Sequence, residues 1–390
     1  MPLSIENSDL HKRIHKRDHS VLKKEEADQR EHRELHLCIV NMMPAGALKP
    51  TELDFLLPIG QASGALQIVP HFVRIEGVDY GKHHDYIMEN YNSFDEIKKI
   101  APDAMIVTGA NLPSGSPTEP PFYNPMDKNS QLYKALEEII KYAESNDGPT
   151  STLYSCLASH AYMQIKHDAP RQKMQEKRWG NFEHQNTSIT HPITEGISSH
   201  FMLPHSRWNQ ITWEQVLDAE MKLLAYSDEA GVLLASSEDG IRAILMQGHP
   251  EYSTTALLKE WNRDLGQAMK SRISGDDISA PIPPLPANYF EGHSLTLANK
   301  FQDQVLSGEY DEQIKQGRLI MPKHIEKQIL DAVPNRHSSV SNDILGKWIS
   351  SVHNITHYDR GKPFMENLDP DNPLNLPQDE PIYSPVYFPE

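Results

Sequence analysis

Short apolar runs separated by helical segments are the feature that most constrains the fold of this chain. Runs at residues 37–40, 104–107 and 151–156 have the length of single strands. Helical patterns with an apolar stripe or helical character follow at residues 131–143 and 157–165. Near-continuously apolar strands that alternate with helices are typical of a mostly parallel sheet covered on both faces. The sequence therefore predicts a three-layer α/β sandwich.

The second half of the chain predicts an antiparallel addition to this sheet and then a mainly helical extension. Closely spaced apolar runs at residues 222–226, 231–235 and 242–246 favour antiparallel strands at a sheet edge. Four prolines within residues 274–286 indicate a linker or a surface crossing. We therefore divide the chain into four parts: a charged arm at 1–34, an α/β domain at 35–272, a Pro-rich linker with a helical C-terminal extension at 273–358, and an acidic Pro-rich tail at 359–390.

The first 34 residues carry eight basic and eight acidic side chains and predict a solvated, mobile arm. Within this arm His11, His15 and His19 would share one face if a helix formed. No acidic or thiol ligand stands at a fitting distance along the chain, so a polar arm is favoured over a metal site.

Charge and cysteine content exclude several classes of protein. The 37 Lys and Arg residues against 54 Asp and Glu residues give a net charge of −17, which argues against a general nucleic-acid binder. No apolar run approaches the roughly 20 residues that a transmembrane helix needs, so no membrane association is expected. Two cysteines are too few for a disulfide scaffold, and we expect a cytoplasmic protein.

Of the two cysteines, Cys156 is the candidate for chemistry. It follows a predicted buried strand and directly precedes a helix, and ligands bind at that edge of open parallel sheets. The positive end of the helix favours a thiolate there, and the N–H of Leu157 points to the same place as a candidate oxyanion donor. A buried structural thiol is the alternative for Cys156. Cys38 lies in the middle of a strand and is interpreted as core filling.

A second candidate group comes after the strand at residues 242–246. His249 and Glu251 are two residues apart, so on extended backbone they project to the same side. A carboxylate there can orient the imidazole and stabilise its cation. Ser206 and Arg207 offer donors for a carboxylate, although the segment around them could equally be a packing loop, and the segment around Lys177 is similarly ambiguous.

Together these segments resemble the cysteine-dependent homoserine O-acyltransferases of the homoserine O-succinyltransferase family. That family belongs to the class I glutamine-amidotransferase-like group, which has a flavodoxin-like three-layer fold. The resemblance covers residues 35–272 and resumes at 288–290 and 348–359. The matching motifs are Asn41-Met42-Met43-Pro44, Val107-Thr108-Gly109-Ala110, Ser155-Cys156, Glu176-Lys177 with Gly180, Pro204-His205-Ser206-Arg207 and Gly248-His249-Pro250-Glu251-Tyr252.

The resemblance implies a role for each matching residue. Cys156 would be the nucleophile, His249 its base and Glu251 the residue that orients the base. The residues expected to bind substrate are Lys177, Ser206, Arg207 and Arg263. The implied reaction is a ping-pong transfer from acyl-CoA, with a succinyl or acetyl group, through an acyl-cysteine to homoserine for methionine biosynthesis. Acyl-CoA is then a co-substrate, no bound cofactor or metal is required, and a homodimer is expected.

Three departures from the family pattern bear on specificity. Ala45 and Gly46 stand where the family commonly has a Lys pair, and Lys49 is the nearest cation. The position that decides between succinyl and acetyl donors falls in a loop that holds Pro113 and Glu119. Residues from about 297 to 340 and the two tails are expected to have no counterpart in the family.

Three other functions stay open. These are transfer to L-serine or another hydroxy amino acid, a glutaminase or cysteine hydrolase of the same fold, and a silent binding protein. Tyr154 and Ala158 stand where a Gly-x-Cys-x-Gly elbow would have glycines, which counts against the hydrolase.

Overall fold

A single mixed sheet runs through the part of the chain that the computed structural model describes. That part comprises residues 3–18, 21–29, 33–44, 46–62, 64, 66–76, 78, 80–110, 126–360 and 362–377. His19, Ala45, Pro113, Glu119 and the end of the tail from residue 378 lie outside it. The strands of this part are β1 (Leu3–Ile5), β2 (Val21–Lys23), β3 (Glu34–Val40), β4 (Gln67–Val73), β5 (Ala104–Val107), β6 (Ser151–Ser155), β7 (Gln172–Asn186), β8 (His200–Gln210), β9 (Lys222–Ser227), β10 (Gly231–Ser236) and β11 (Ala243–Met246).

Helices cover the two faces of this sheet and build the C-terminal extension. In chain order they are α1 (Ser8–His15), α2 (Lys24–Ala27), α3 (Leu48–Ala62), α4 (His84–Asn90), α5 (Phe94–Ile100), α6 (Gln131–Ala143), α7 (Leu157–His167), α8 (Trp213–Asp218), α9 (Ala256–Ser274), α10 (Gly292–Leu306), α11 (Asp311–Lys315), α12 (Lys323–Ala332) and α13 (Ser338–Ile355), with a 3₁₀ turn at Gly81–His83. None of these helices is long and apolar enough to cross a membrane.

The strand order is β2-β1-β4-β3-β5-β6-β11-β10-β9-β7-β8. Every neighbouring pair from β2 to β11 is parallel, and β11, β10, β9, β7 and β8 are joined in antiparallel pairs. This order confirms the predicted mostly parallel sheet and the antiparallel addition at residues 222–246.

Alternate side chains of the central strands build two cores. Ile39 and Ile106 belong to one apolar cluster, which also contains residues of α3 and α13. Cys38 and Val107 belong to the other, which contains residues of α6 and α7. Two cores on opposite faces of one sheet make the predicted three-layer sandwich. Cys38 fills the core as predicted, and its complete burial raises the pKa of its thiol.

The first 34 residues differ from the expected mobile arm. β1 pairs in parallel with β4 and β2, so the described part of this segment extends the sheet. Leu10 and Ile14 lie one helical turn apart on the buried face of α1. Apolar residues at strand and helix spacings therefore outweigh the high charge around them. The division of the chain at residues 34, 272 and 358 stays a prediction.

The hairpin of β7 and β8 was not predicted from the sequence. Its register opposes Trp179 to Ser206 and Gly180 to His205. Gly180 has a φ of +143° and also bridges to Ala287 of the Pro-rich crossing, where a Cβ on Gly180 would overlap the Ala287 backbone. The Pro-rich crossing is therefore hydrogen bonded to the hairpin at Gly180, a position that only glycine can occupy.

The helical extension forms a smaller cluster of its own. Trp261 of α9 packs edge to face against Phe290 and Phe301, with ring centroids 5.6 Å and 6.1 Å away. This cluster draws on residues of α9, α10, α11 and α12. α10, α11 and α12 confirm the predicted helical extension, whereas α13 lies outside this cluster and packs against α3.

Candidate active site

The carboxyl ends of the parallel strands bring the candidate residues together. Val40, Val107 and Ser155 end three neighbouring strands, and Met246 is paired with Ser155. Because parallel strands end at the same edge, the segments that follow them line one space. A cavity of about 450 Å³ opens there. Its lining includes Cys156, Leu157, Ser206, Arg207, His249, Glu251 and Arg263.

Cys156 occupies the sharp turn between β6 and α7. Its φ of 49° and ψ of −112° lie outside the regions that non-glycine residues prefer. The backbone holds it there, since Cys156 N–H donates to Met246 O at 2.6 Å and Cys156 O accepts from the Ser159 hydroxyl at 2.6 Å. The half-buried thiol is thereby presented to the cavity at the start of α7. Strain of this kind at a strand-to-helix turn is typical of a nucleophile elbow.

His249 and Glu251 form a buried pair beside this thiol. His249 Nδ1 lies 2.8 Å from Glu251 Oε1, and the imidazole stacks on Tyr252 with ring centroids 4.2 Å apart. Burial acts to lower the pKa of His249, but Glu251 and Cys156 outweigh it and raise the pKa well above its ordinary value. The pair therefore favours an imidazolium, and the proton on Nδ1 fixes the ring so that Nε2 is left for the thiol.

Two buried arginines add positive charge around Cys156. Burial lowers the pKa of both Arg171 and Arg207 to about 10, and the charge of Cys156 acts in the opposite direction. Arg207 donates from Nε to His205 Nδ1 at 3.2 Å and from Nη1 to Asn209 O at 2.9 Å. Much of the hydrogen-bonding capacity of the Arg207 guanidinium is therefore already used by residues of β8 and its neighbours. Its predicted contact with substrate stays a prediction.

Glu260 is a cavity residue that was not identified from the sequence, and it accepts three hydrogen bonds from neighbouring side chains. Its carboxylate accepts from Ser206 Oγ at 2.7 Å, from Trp179 Nε1 at 2.9 Å and from the Tyr252 hydroxyl at 2.6 Å. It lies on α9 three residues before Arg263, and both side chains line the cavity. The spacing of three residues between Glu260 and the predicted residue Arg263 is the sequence signal that could have identified Glu260, because such residues share one face of a helix.

The structure separates the other predicted substrate residues into two positions. Arg263 reaches the cavity and donates from Nε to Asp264 Oδ1 at 2.8 Å. Lys177 Nζ is 3.5 Å from Asp264 Oδ2 and 4.1 Å from the centre of the Trp179 ring, outside the cavity lining. Lys177 therefore lies behind the cavity wall, with its Nζ 3.9 Å from Oε2 of the lining residue Glu260.

The fold and the site define a class: α/β proteins with a thiol, an imidazole and a carboxylate at the carboxyl edge of a mostly parallel sheet. A family model described as homoserine O-succinyltransferase matches residues 2–358. A homoserine O-succinyltransferase from Thiobacillus denitrificans is 36% identical over 378 residues, 96% of this chain and 100% of that protein. One from Methylobacter tundripaludum is 35% identical over 379 residues, again 96% of this chain and 100% of that protein.

The chain therefore belongs to the homoserine O-succinyltransferase family, a family of acyltransferases. Among solved structures, a glutamine amidotransferase from Thermotoga maritima covers 83% of this chain and 99% of its own, with 12% identity and a TM-score of 0.37. The family model spans residues 2–358, so the expectation that the N-terminal arm and the residues from about 297 to 340 lack counterparts in the family is wrong. The model ends where the acidic Pro-rich tail at 359–390 begins, and the expectation for that tail stays a prediction.

Proposed function

We propose that this protein transfers the succinyl group of succinyl-CoA to the hydroxyl of homoserine, giving an O-acyl-homoserine for methionine biosynthesis. The observation that carries the proposal is the strained turn that presents Cys156 to one cavity with the His249–Glu251 pair. Membership of a family named for this reaction supports the choice of donor and acceptor.

The first half-reaction acylates the enzyme. The Cys156 thiolate attacks the thioester carbonyl of the donor, and the N–H of Leu157 is the proposed donor to the oxyanion that forms. When the tetrahedral intermediate collapses, the bond to the CoA sulfur breaks. His249 gives its proton to that sulfur, so CoA leaves as a thiol and a thioester remains on Cys156.

The second half-reaction passes the acyl group to the acceptor. His249 Nε2, now neutral, takes the proton of the homoserine hydroxyl as the oxygen attacks the thioester. The Cys156 sulfur leaves as a thiolate beside the imidazolium that has just formed. Arg263 is proposed to bind the acceptor's carboxylate, while Ser206 and Glu260 provide hydrogen-bonding groups on the same side of the cavity.

The decisive experiment separates acylation from transfer. Incubation with succinyl-CoA alone should add one acyl group to Cys156 and release CoA, and homoserine should then remove the group. Cys156→Ala should lose both the mass adduct and the turnover, whereas Cys38→Ala is the matched control because Cys38 is buried in the core. An active Cys156→Ala protein without any adduct would contradict the mechanism.

A panel of acceptors and substrates tests the acceptor assignment. Homoserine and L-serine are compared at one concentration of succinyl-CoA, and glutamine is offered without CoA. A strong preference for L-serine would overturn the acceptor, and ammonia release from glutamine would identify a glutaminase instead.

A further inference from the structure

Two ionisable side chains in the lining of the cavity have no part in the mechanism above. Asp54 lies on α3 and Lys259 lies on α9, and both line the cavity that contains Cys156. Within the described part of the chain, neither side chain makes a hydrogen bond or an ion pair at short range. The cavity therefore holds a cation and a carboxyl group that are both available to a ligand.

Lys259 differs in this respect from the other arginine and lysine side chains of the cavity lining. Arg207 donates to His205 and to the Asn209 carbonyl, and Arg263 pairs with Asp264. Arg171 is completely buried and has partners of its own. Lys259 is exposed to solvent at the cavity and is the lining cation, among the residues described, that a new anion can reach without displacing a partner.

Asp54 opposes the binding of an anion at this place. Four groups on the surrounding elements act on it: Glu251 and His249 from the segment after β11, Lys259 from α9, and Arg17 from the turn after α1. Burial, followed by the charge of Glu251, raises the pKa of Asp54 to about 7, although the three cationic groups act to lower it. Asp54 is therefore neutral below this pH and anionic above it.

We propose that Lys259 and Asp54 form the subsite for the second carboxylate of a dicarboxylic acyl group, with Lys259 binding that carboxylate and Asp54 selecting against it when ionised. The proposal deepens the proposed function and rests on it, because the acyl group must be held on Cys156 in the same cavity. A succinyl group carries such a carboxylate and an acetyl group does not, so the pair discriminates between the two donors.

The direction of the pH effect follows from the charges. Below about pH 7 the neutral carboxyl of Asp54 leaves Lys259 free and can itself donate a hydrogen bond to the acyl carboxylate. Above that pH the ionised Asp54 competes for Lys259 and repels the incoming carboxylate. The preference for succinyl-CoA over acetyl-CoA should therefore fall as the pH rises.

The test is the ratio of kcat/KM for succinyl-CoA to kcat/KM for acetyl-CoA, measured with homoserine from pH 6 to pH 8. The ratio cancels the titration of Cys156, His249 and CoA, which both donors share. Lys259→Met should lower the ratio by about tenfold, the size of a lost charge-assisted hydrogen bond. Asp54→Asn should raise the ratio above pH 7 and make it independent of pH.

The matched control is Lys270→Met, a substitution of an exposed lysine on the same helix that lies outside the cavity lining. It should leave the ratio unchanged. A ratio that is the same in Lys259→Met, Asp54→Asn and the unaltered protein overturns the subsite while leaving the proposed function intact. Absence of transfer from either donor in the unaltered protein overturns both.

Discussion

At the scale of single residues, the central relation is the dependence of the thiol on a carboxylate that does not touch it. Glu251 stabilises the imidazolium of His249, and that cation in turn faces the sulfur of Cys156. The reactivity of the Cys156 sulfur therefore depends on the pKa of His249, because the imidazolium stabilises the thiolate.

This relation predicts the behaviour of Glu251→Gln. The amide keeps the size of the side chain and removes its charge, so the pKa of His249 falls and less imidazolium is present at neutral pH. Alkylation of Cys156 by iodoacetamide at pH 7 should slow by about tenfold, the equivalent of one pKa unit on His249.

Cys38 provides an internal control for that measurement. It is completely buried and its burial raises the pKa of its thiol, so one cysteine per native chain should react. An unchanged alkylation rate in Glu251→Gln would show that Glu251 does not act through the imidazole.

Several site residues were accessible to sequence reasoning because each stands directly after a strand. Cys156 follows β6, and His249 and Glu251 follow β11. Glu260 and Asp54 were not accessible in this way. Each lies inside a helix, and its place in the cavity depends on how that helix docks against elements distant in the chain.

At the scale of elements, α3 is held in place by the N-terminal segment. Glu52 of α3 is completely buried, and it accepts hydrogen bonds from Arg13 of α1 and from the hydroxyls of Tyr86 and Tyr91. Asp54 stands two residues further along the same helix. A cation from the first elements of the chain therefore neutralises a buried carboxylate behind the wall of the active site.

Replacement of Arg13 tests this arrangement. Arg13→Met leaves the buried carboxylate of Glu52 without its cation and should lower the free energy of unfolding by about 2 kcal/mol, less than for a fully buried pair because Arg13 is partly exposed. Urea denaturation measures the loss. Lys12→Met, on the exposed side of α1, is the matched control and should change stability by less than about 0.5 kcal/mol.

The further substitution Glu52→Gln in the Arg13→Met protein should recover part of the loss, since it removes the unpaired charge. Equal stability of Arg13→Met and the unaltered protein would mean that the pair contributes nothing to holding α3.

The elements that sequence reasoning found and those it missed differ in where their partners lie. β5 and α6 were predicted at their observed bounds, because each has an apolar pattern complete within its own segment. β7 and β8 bury His184, His205 and Arg207: His184 is hydrogen bonded to His205 across the hairpin, and Arg207 donates to His205 within β8. Polar residues that are buried in pairs look like loop residues until the pairing is known.

At the scale of the whole molecule, buried neutral histidines make stability depend on pH. Burial lowers the pKa of His36 and His71 to about 4 and that of His160 and His184 to about 3. In the unfolded chain these groups return to an ordinary pKa near 6.5. Between these pKa values the histidines bind protons in the unfolded state but not in the folded state, so the free energy of unfolding rises with pH. The contribution of the histidines to stability is complete above about pH 7.

Urea unfolding at a series of pH values should therefore show a midpoint that falls steadily from pH 7 to pH 5. Each such histidine contributes up to about 1.4 kcal/mol per pH unit in that range. His36→Asn should flatten the curve, because its ring and that of His71 are hydrogen bonded at 2.9 Å and both titrate. A midpoint independent of pH between 5 and 7 would contradict this account.

The surplus of acid also bears on the whole molecule. A net charge of −17 opposes the approach of an anion such as the proposed acyl-CoA donor, so we expect the arginines and Lys259 of the cavity to supply the local positive field that attracts it. The homodimer and the cytoplasmic location expected from the sequence stay predictions, and sedimentation equilibrium tests the first of them.

The position of α3 has a consequence for the synthesis of the protein. Arg13 is hydrogen bonded to Glu52 of this helix, and α13 packs so closely against it that a Cβ on Gly346 would overlap Ala62. At roughly 5–20 residues per second a ribosome needs on the order of 15 to 60 seconds to travel from α3 to the end of α13. In the last part of that interval, once residue 249 has been added, the nascent chain carries both its thiol and its histidine but has an unfinished wall around them. We therefore expect acyl transfer to begin only after α13 has left the exit tunnel.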